Sequence, residues 1–200
     1  MKHILVLFAA LFAALNEVDA QGIDATLSQD YLMYDFDNDG RKDRGEIVDV
    51  IEGDYDGDGT MERLMLCSYC DDRGDNGEVL EYEESLFYNV VISSNASHPV
   101  LPFELLAFAI INEGDLDGDG ADEFGFFNCG LHGAWGEYCV YSLRGGEWHK
   151  VVSMSHSVAW DEDTPLDRWV RKDPNKRGHV IVRNISVEEG TLKEISIPLI

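Results

Sequence analysis

The sequence predicts an all-β protein, built of antiparallel strands joined by tight acidic turns. Short apolar runs such as Arg63-Leu-Met-Leu-Cys67 and Phe124-Gly-Phe-Phe127 have strand length and strand composition. Glycine- and aspartate-rich segments separate them, as turns between strands require. Two of the acidic turns run straight into such strands.

Taken in order, residues 1–20 read as a secretory signal peptide. Lys2 opens a short basic region, Ile4 to Leu15 is almost wholly apolar, and Val18-Asp-Ala20 has the small-x-small form of a cleavage site before Gln21. The apolar run is short for a bilayer span, and no later segment reads as one, so no membrane insertion of the mature chain is expected. The expectation is a secreted, periplasmic or cell-surface protein with one β domain over 21–200. Residues 21–34 form a lead-in with an apolar patch at Tyr31–Tyr34. Strands are expected over Glu46–Ile51, Met61–Ser68 and Leu86–Ser93. Asp71–Gly77 reads as a polar turn. Leu101–Ile111 suits a strand pair or a short helix, its start restricted by Pro99 and Pro102. Glu123–Asn128 is the next strand. Glu137–Leu143 and Trp148–Val152 form a hairpin across Arg144-Gly-Gly-Glu147. His156–Gly178 reads as a long polar loop. His179–Val187 and Leu192–Leu199 close the chain as a hairpin across Glu188-Glu-Gly190.

Three loops of the form D-x-D-x-D-G stand out: Asp35–Gly40, Asp54–Gly59 and Asp115–Gly120. Each has a further acid at position nine: Asp43, Glu62 and Glu123. Carboxylates at positions one, three and five, a glycine at the sharp turn, and the carbonyl of position seven are what a hard, oxygen-seeking cation such as Ca²⁺ needs. The expected ligands are Asp35, Asp37, Asp39, Arg41 (through its carbonyl) and Asp43 in loop one, with Glu46 at position twelve. In loop two they are Asp54, Asp56, Asp58, Thr60 (through its carbonyl) and Glu62. In loop three they are Asp115, Asp117, Asp119, Ala121 (through its carbonyl) and Glu123. Mg²⁺ demands stricter geometry, and zinc or copper would want His or Cys, which the loops lack. Loop one has EF-hand ligand spacing, but Lys42 sits where an apolar residue is usual. Loops two and three carry Met65 and Phe126 at position twelve and lead into strands, so they are not EF-hands.

Gly114-Asp-Leu-Asp-Gly-Asp-Gly-Ala-Asp-Glu-Phe-Gly-Phe-Phe127 resembles an FG-GAP or VCBS-type repeat, and Gly53–Gly59 resembles a second. The resemblance implies a calcium loop between the first two strands of a β-propeller blade, with Asp54, Asp56, Asp58 and Glu62, and Asp115, Asp117, Asp119 and Glu123, as ligands. Loops two and three begin 61 residues apart, room for one four-stranded blade with insertions. Loops one and two begin 19 apart and so flank a single strand. About 180 mature residues are too few for six or seven such blades, which leaves a small or partial propeller; a β-sandwich is the alternative.

After removal of Lys2, Glu17 and Asp19 with the leader, 14 Lys and Arg face 37 Asp and Glu, a formal charge of −23. Such a surface is a poor partner for nucleic acid. Cys67, Cys70, Cys129 and Cys139 are an even count in an exported chain, which points to disulfides, with Cys129 and Cys139 on the two arms of one hairpin. No H-E-x-x-H, G-x-S-x-G or phosphate-binding loop is present, and the histidines lack metal-ligand spacing. Trp135, Trp148, Trp160 and Trp169 suit either a carbohydrate platform or core packing. Asn95-Ala-Ser97 and Asn184-Ile-Ser186 are glycosylation triplets. The expected function is binding, of a protein or glycan partner, with calcium in a structural role. The alternative is an exported metal-dependent hydrolase acting on glycans or phosphoesters, with His132 as the nearest base.

Overall fold

The computed structural model describes residues 31–35, 40, 42–71, 86–103, 107, 109–129, 135–157, 169–186 and 191–200. The expected leader and its cleavage point, His132 and Trp160 lie outside the described residues. Twelve strands are present and, among the described residues, no helix; accordingly none is long and apolar enough to cross a membrane.

The first sheet is β1 (Tyr31–Tyr34), β2 (Asp43–Gly53), β3 (Glu62–Asp71), β4 (Leu86–Ser93) and β5 (Leu101–Phe103). The second is β6 (Ile110–Gly114), β7 (Glu123–Cys129), β8 (Trp135–Arg144) and β9 (Glu147–Ser157). The third is β10 (Val170–Lys172), β11 (His179–Ser186) and β12 (Thr191–Pro198). Spatial order follows chain order in every sheet. All neighbouring pairs are antiparallel. Each sheet is thus a meander drawn from one continuous stretch of chain. Among the described residues the sheets do not close into a propeller ring.

Strand periodicity positions the core. Side chains alternate faces along a strand, so β7 sends Phe124 and Phe126 one way and Phe127 the other. Phe124 and Phe126 join Leu64, Leu66 and Val91 of the first sheet. Phe127 joins Tyr138, Val140 and Val151 with Val180 and Val182 of the third sheet. The second sheet is therefore covered on both faces, as its near-continuous apolar strands require. Phe124 is 0 % exposed and central to an aromatic group. Trp148 meets it edge-on at 5.1 Å, and Tyr141 stacks on it at 5.9 Å.

Three expectations change. Leu101–Ile111 becomes two short strands in different sheets, because this is where the chain passes from the first sheet to the second. His156–Gly178 is not all loop. Strand β9 runs to Ser157, and Trp169 and Val170 are buried against the third sheet's apolar face, which draws Val170–Lys172 into pairing with β11. The lead-in contributes β1, paired with β2.

The disulfide expectation is also corrected. No disulfide is seen at Cys67, Cys70 or Cys139. Cys67 and Cys70 are three apart on one strand, so the pleat turns them to opposite faces, one buried and one exposed. Cys129 lies opposite Gly136 and Cys139 opposite Phe126, so the hairpin register separates them. Burial pushes the Cys67 and Cys139 thiols up to about 12, which makes both poor nucleophiles. The described tryptophans side with core packing: Trp169 is 0 % exposed and Trp148 is half-buried among aromatics.

Removing the Phe124 ring should leave a large void at the junction of the first two sheets. Phe124→Ala is expected to lower unfolding free energy by about 3–5 kcal/mol in a urea titration. Ile195→Ala, at a side chain 46 % exposed, should change it by less than about 1 kcal/mol.

Candidate metal centre

Loops two and three share most of their framework and differ at position one, where Asp54 accepts from the amides of Asp58 and Gly59 and Asp115 from that of Gly118. Each is closed by a strand pair, Gly53 with Glu62 and Gly114 with Glu123. In both, the position-nine glutamate folds back under the loop, and its Oε2 accepts the position-two amide: Tyr55 N–H at 3.0 Å and Leu116 N–H at 2.6 Å. The position-two side chains, Tyr55 and Leu116, are buried and anchor the loops to the core. In both, the position-five amide donates to the position-three carboxylate and the position-seven amide to the position-five carboxylate. The position-six glycines Gly59 and Gly120 have φ of 86° and 100°, a left-handed conformation that a side chain would strain.

In loop three, one oxygen each from Asp115, Asp117 and Glu123 lie within 4.8 Å of one another. Asp119 is exposed and outside this group. Glu123 is 0 % exposed. Burial pushes its carboxyl up to about 7, against the lowering pull of the Leu116 amide, and Asp117 adds repulsion. By distance and angle together its Oε1 has no hydrogen-bond partner, nor has the Ser142 hydroxyl, which still lies near enough to pull the Glu123 carboxyl down a little. A buried carboxylate oxygen left bare costs free energy. A cation between Asp115, Asp117 and Glu123 would remove that cost, and the all-oxygen donor set suits calcium. Two cations border the loop: Arg144 donates from Nη2 to Asp117 Oδ2 at 2.9 Å, and Lys172 donates to the Asp115 carbonyl at 3.2 Å.

In loop two, Asp54, Asp56 and Asp58 converge within the same limit, and Asp56 and Glu62 form a further group with His98. Glu62 is 4 % exposed. The His98 side chain is 3 % exposed, with Nε2 3.0 Å from Asp56 Oδ2. That hydrogen bond is the main cause holding the Asp56 carboxyl below its usual range. Asn95, which leads one of the two glycosylation triplets, has its amide turned inward: Nδ2 is 3.4 Å from Asp56 Oδ2 and Oδ1 accepts from Ser97. His98 and Asn95 were not legible from spacing, being 42 and 39 residues from Asp56.

Loop one is described only in part. The Gly40 amide donates to Asp35 Oδ2 at 3.0 Å, the same six-to-one contact as Gly59 to Asp54 in loop two. Asp37, Asp39 and Arg41 lie outside the described residues, as does the Asp43 side chain. Glu46 is exposed on β2 opposite Tyr31, three residues along the strand from Asp43, and joins no ligand group among the described residues.

Loops two and three also lock to each other. The Asp122 amide donates to the Asp54 carbonyl at 2.7 Å, and Asp122 Oδ2 accepts from Asp54 N–H and from Asn112 Nδ2. Asn112 Nδ2 also donates to the Glu52 carbonyl, and Ile110 N–H donates to Asp49 Oδ2. Burial raises the Asp49 carboxyl, and the amides of Ile110 and Val50 oppose the rise. The approach is so close that a Cβ at Gly53 would sit 2.7 Å from Asn112 Nδ2 and 2.8 Å from Asp122 Oδ2. No family model, curated protein or solved structure matches this chain.

Asp122 is thus a tie between the loops. Asp122→Ala should lower unfolding free energy by about 1–3 kcal/mol, the range for losing hydrogen bonds to a charged acceptor. Hydrogen exchange should rise at the Asp54 amide, and an unchanged rate there would contradict the assignment.

Proposed function

We propose that this is an exported calcium-binding β protein, in which Ca²⁺ fixes the acidic turns and the strands they join, and whose role is binding a protein or glycan partner. The observation that carries the calcium reading is the bare, fully buried Oε1 of Glu123, grouped with Asp115 and Asp117. The donor set is all oxygen, and the loop's amides hold the Asp117 and Asp119 carboxylates within the turn.

The FG-GAP or VCBS-type reading draws support from topology. Loop two joins β2 to β3 and loop three joins β6 to β7, in each case the first two strands of a four-stranded meander, with β1 added to the first. Continuous meanders stacked face to face suit successive blades of a small or partial propeller. Sheets that pack face to face without closing a ring are equally consistent with the alternative, a β-sandwich. Outside the cell, calcium near millimolar would occupy sites with affinities of about 10⁻⁴–10⁻³ M. A partner would meet an acidic surface, so the metal also lowers the repulsion at these turns.

At a calcium excess of about tenfold over Kd, each occupied site stabilises the fold by about 1.4 kcal/mol. That corresponds to a rise of roughly 3–6 °C in melting temperature for a chain of this size. The full rise is expected for the wild type on adding calcium, with a fall in chelator. Glu123→Gln should show a smaller rise. A melting temperature indifferent to calcium and chelator would overturn the reading.

A further inference from the structure

The two matched loops differ in what meets the outer oxygen of position three. In loop three it is Arg144, whose guanidinium has no lone pair to give. In loop two it is His98, whose imidazole has one. We propose that Asp56, Glu62 and His98 form a second kind of cation site, one that takes a borderline divalent ion such as Zn²⁺ through nitrogen as well as oxygen.

The site is built rather than incidental. The turn between β4 and β5 folds over loop two and is pinned at both ends. Ser94 N–H donates to the Arg63 carbonyl at 2.8 Å, and Arg63 N–H donates to Ser94 Oγ at 2.9 Å. At the far end, Trp148 Nε1 donates to the Pro99 carbonyl at 2.7 Å, and its ring meets His98 edge-on at 6.3 Å. His98 is thereby held with Nε2 against Asp56, while Glu62 is fixed from below by the Tyr55 amide.

Two contacts ask opposite things of Nε2. It donates to Asp56 Oδ2 if it bears the proton, and it accepts from Asn95 Nδ2, 3.2 Å away, if it does not. The second state turns a lone pair toward Asp56, the form a metal requires. Nδ1 is buried with no hydrogen-bond partner, so among the described residues it is Asp56 that favours a proton on Nε2, and a cation at Nε2 would take the place of that proton. One ligand atom from each of the three residues lies within 4.8 Å of the others. Tetrahedral ligands about 2.0–2.2 Å from a zinc ion stand about 3.4 Å apart, inside that limit. Imidazole with carboxylate is a donor set that suits Zn²⁺ better than Ca²⁺. The inference stands apart from calcium at loop three, whose donor set has no nitrogen.

The test is a Zn²⁺ titration of the full chain without added calcium, since Asp56 and Glu62 are shared with the calcium reading of loop two, followed by long-range ¹H–¹⁵N spectra of the imidazole nitrogens. The His98 Nε2 resonance should move to the metal-bound range at one equivalent. His98→Gln, which keeps a donor beside Asp56, should weaken Zn²⁺ binding at least about tenfold. The calcium-dependent rise in melting temperature set by Glu123 should persist in that variant. A His98 resonance that does not respond to Zn²⁺, or unchanged affinity in His98→Gln, would show an adventitious ion only and overturn the proposal. The wild-type spectrum decides the matter even if the variant folds poorly, and either negative result leaves the calcium reading standing.

Discussion

Gathering carboxylates where two sheets meet is electrostatically unfavourable, and the architecture is organised around that fact. Glu62 and Glu123 lie buried beneath their loops, with the aspartates of the same loops above them. Like charges this close repel, and burial weakens solvent screening. The protein answers with backbone amides, which donate to nearly every carboxylate of loops two and three. It adds cationic or imidazole groups at the loop rims, Arg144 and Lys172 for one and His98 for the other. Glu123 Oε1 is what these devices leave unanswered.

The same loops tie the sheets together. Asp122 belongs to loop three yet its main-chain and side-chain contacts are with Asp54 of loop two. Asn112 and Asp49 extend the tie along β6 and β2. Directly beneath lies the aromatic group around Phe124, so order in the loops and packing of the core are two sides of one junction. A cation that stiffened the turns would act on the sheet interface as well.

Much of this was legible in the sequence. Short apolar runs located β3, β4 and β7, a hairpin pattern with alternation at Ile195, Ile197 and Leu199 located β11 and β12, and Gly145-Gly146 marked the β8–β9 hairpin. The repeated D-x-D-x-D-G with a position-nine glutamate marked two loops that share their bonding at positions two, three, five, seven and nine. What escaped was set by tertiary contact. Strands β1 and β10 have 4 and 3 residues, too few for a pattern, and pairing partners define them. His98, Asn95 and Asn112 act across separations of 39 to 60 residues, which no spacing rule reaches. The cysteine count suggested bridges, but the pleat of β3 and the register of β7 with β8 place the thiols apart.

The central claim is that the buried acidic loops are cation sites completed by their position-nine glutamates. Calorimetric titration of the full chain with Ca²⁺ tests it most directly. The account predicts saturable binding at two or more sites, with one lost in Glu123→Gln. Absence of saturable binding, or an isotherm that Glu123→Gln leaves unchanged, would contradict it.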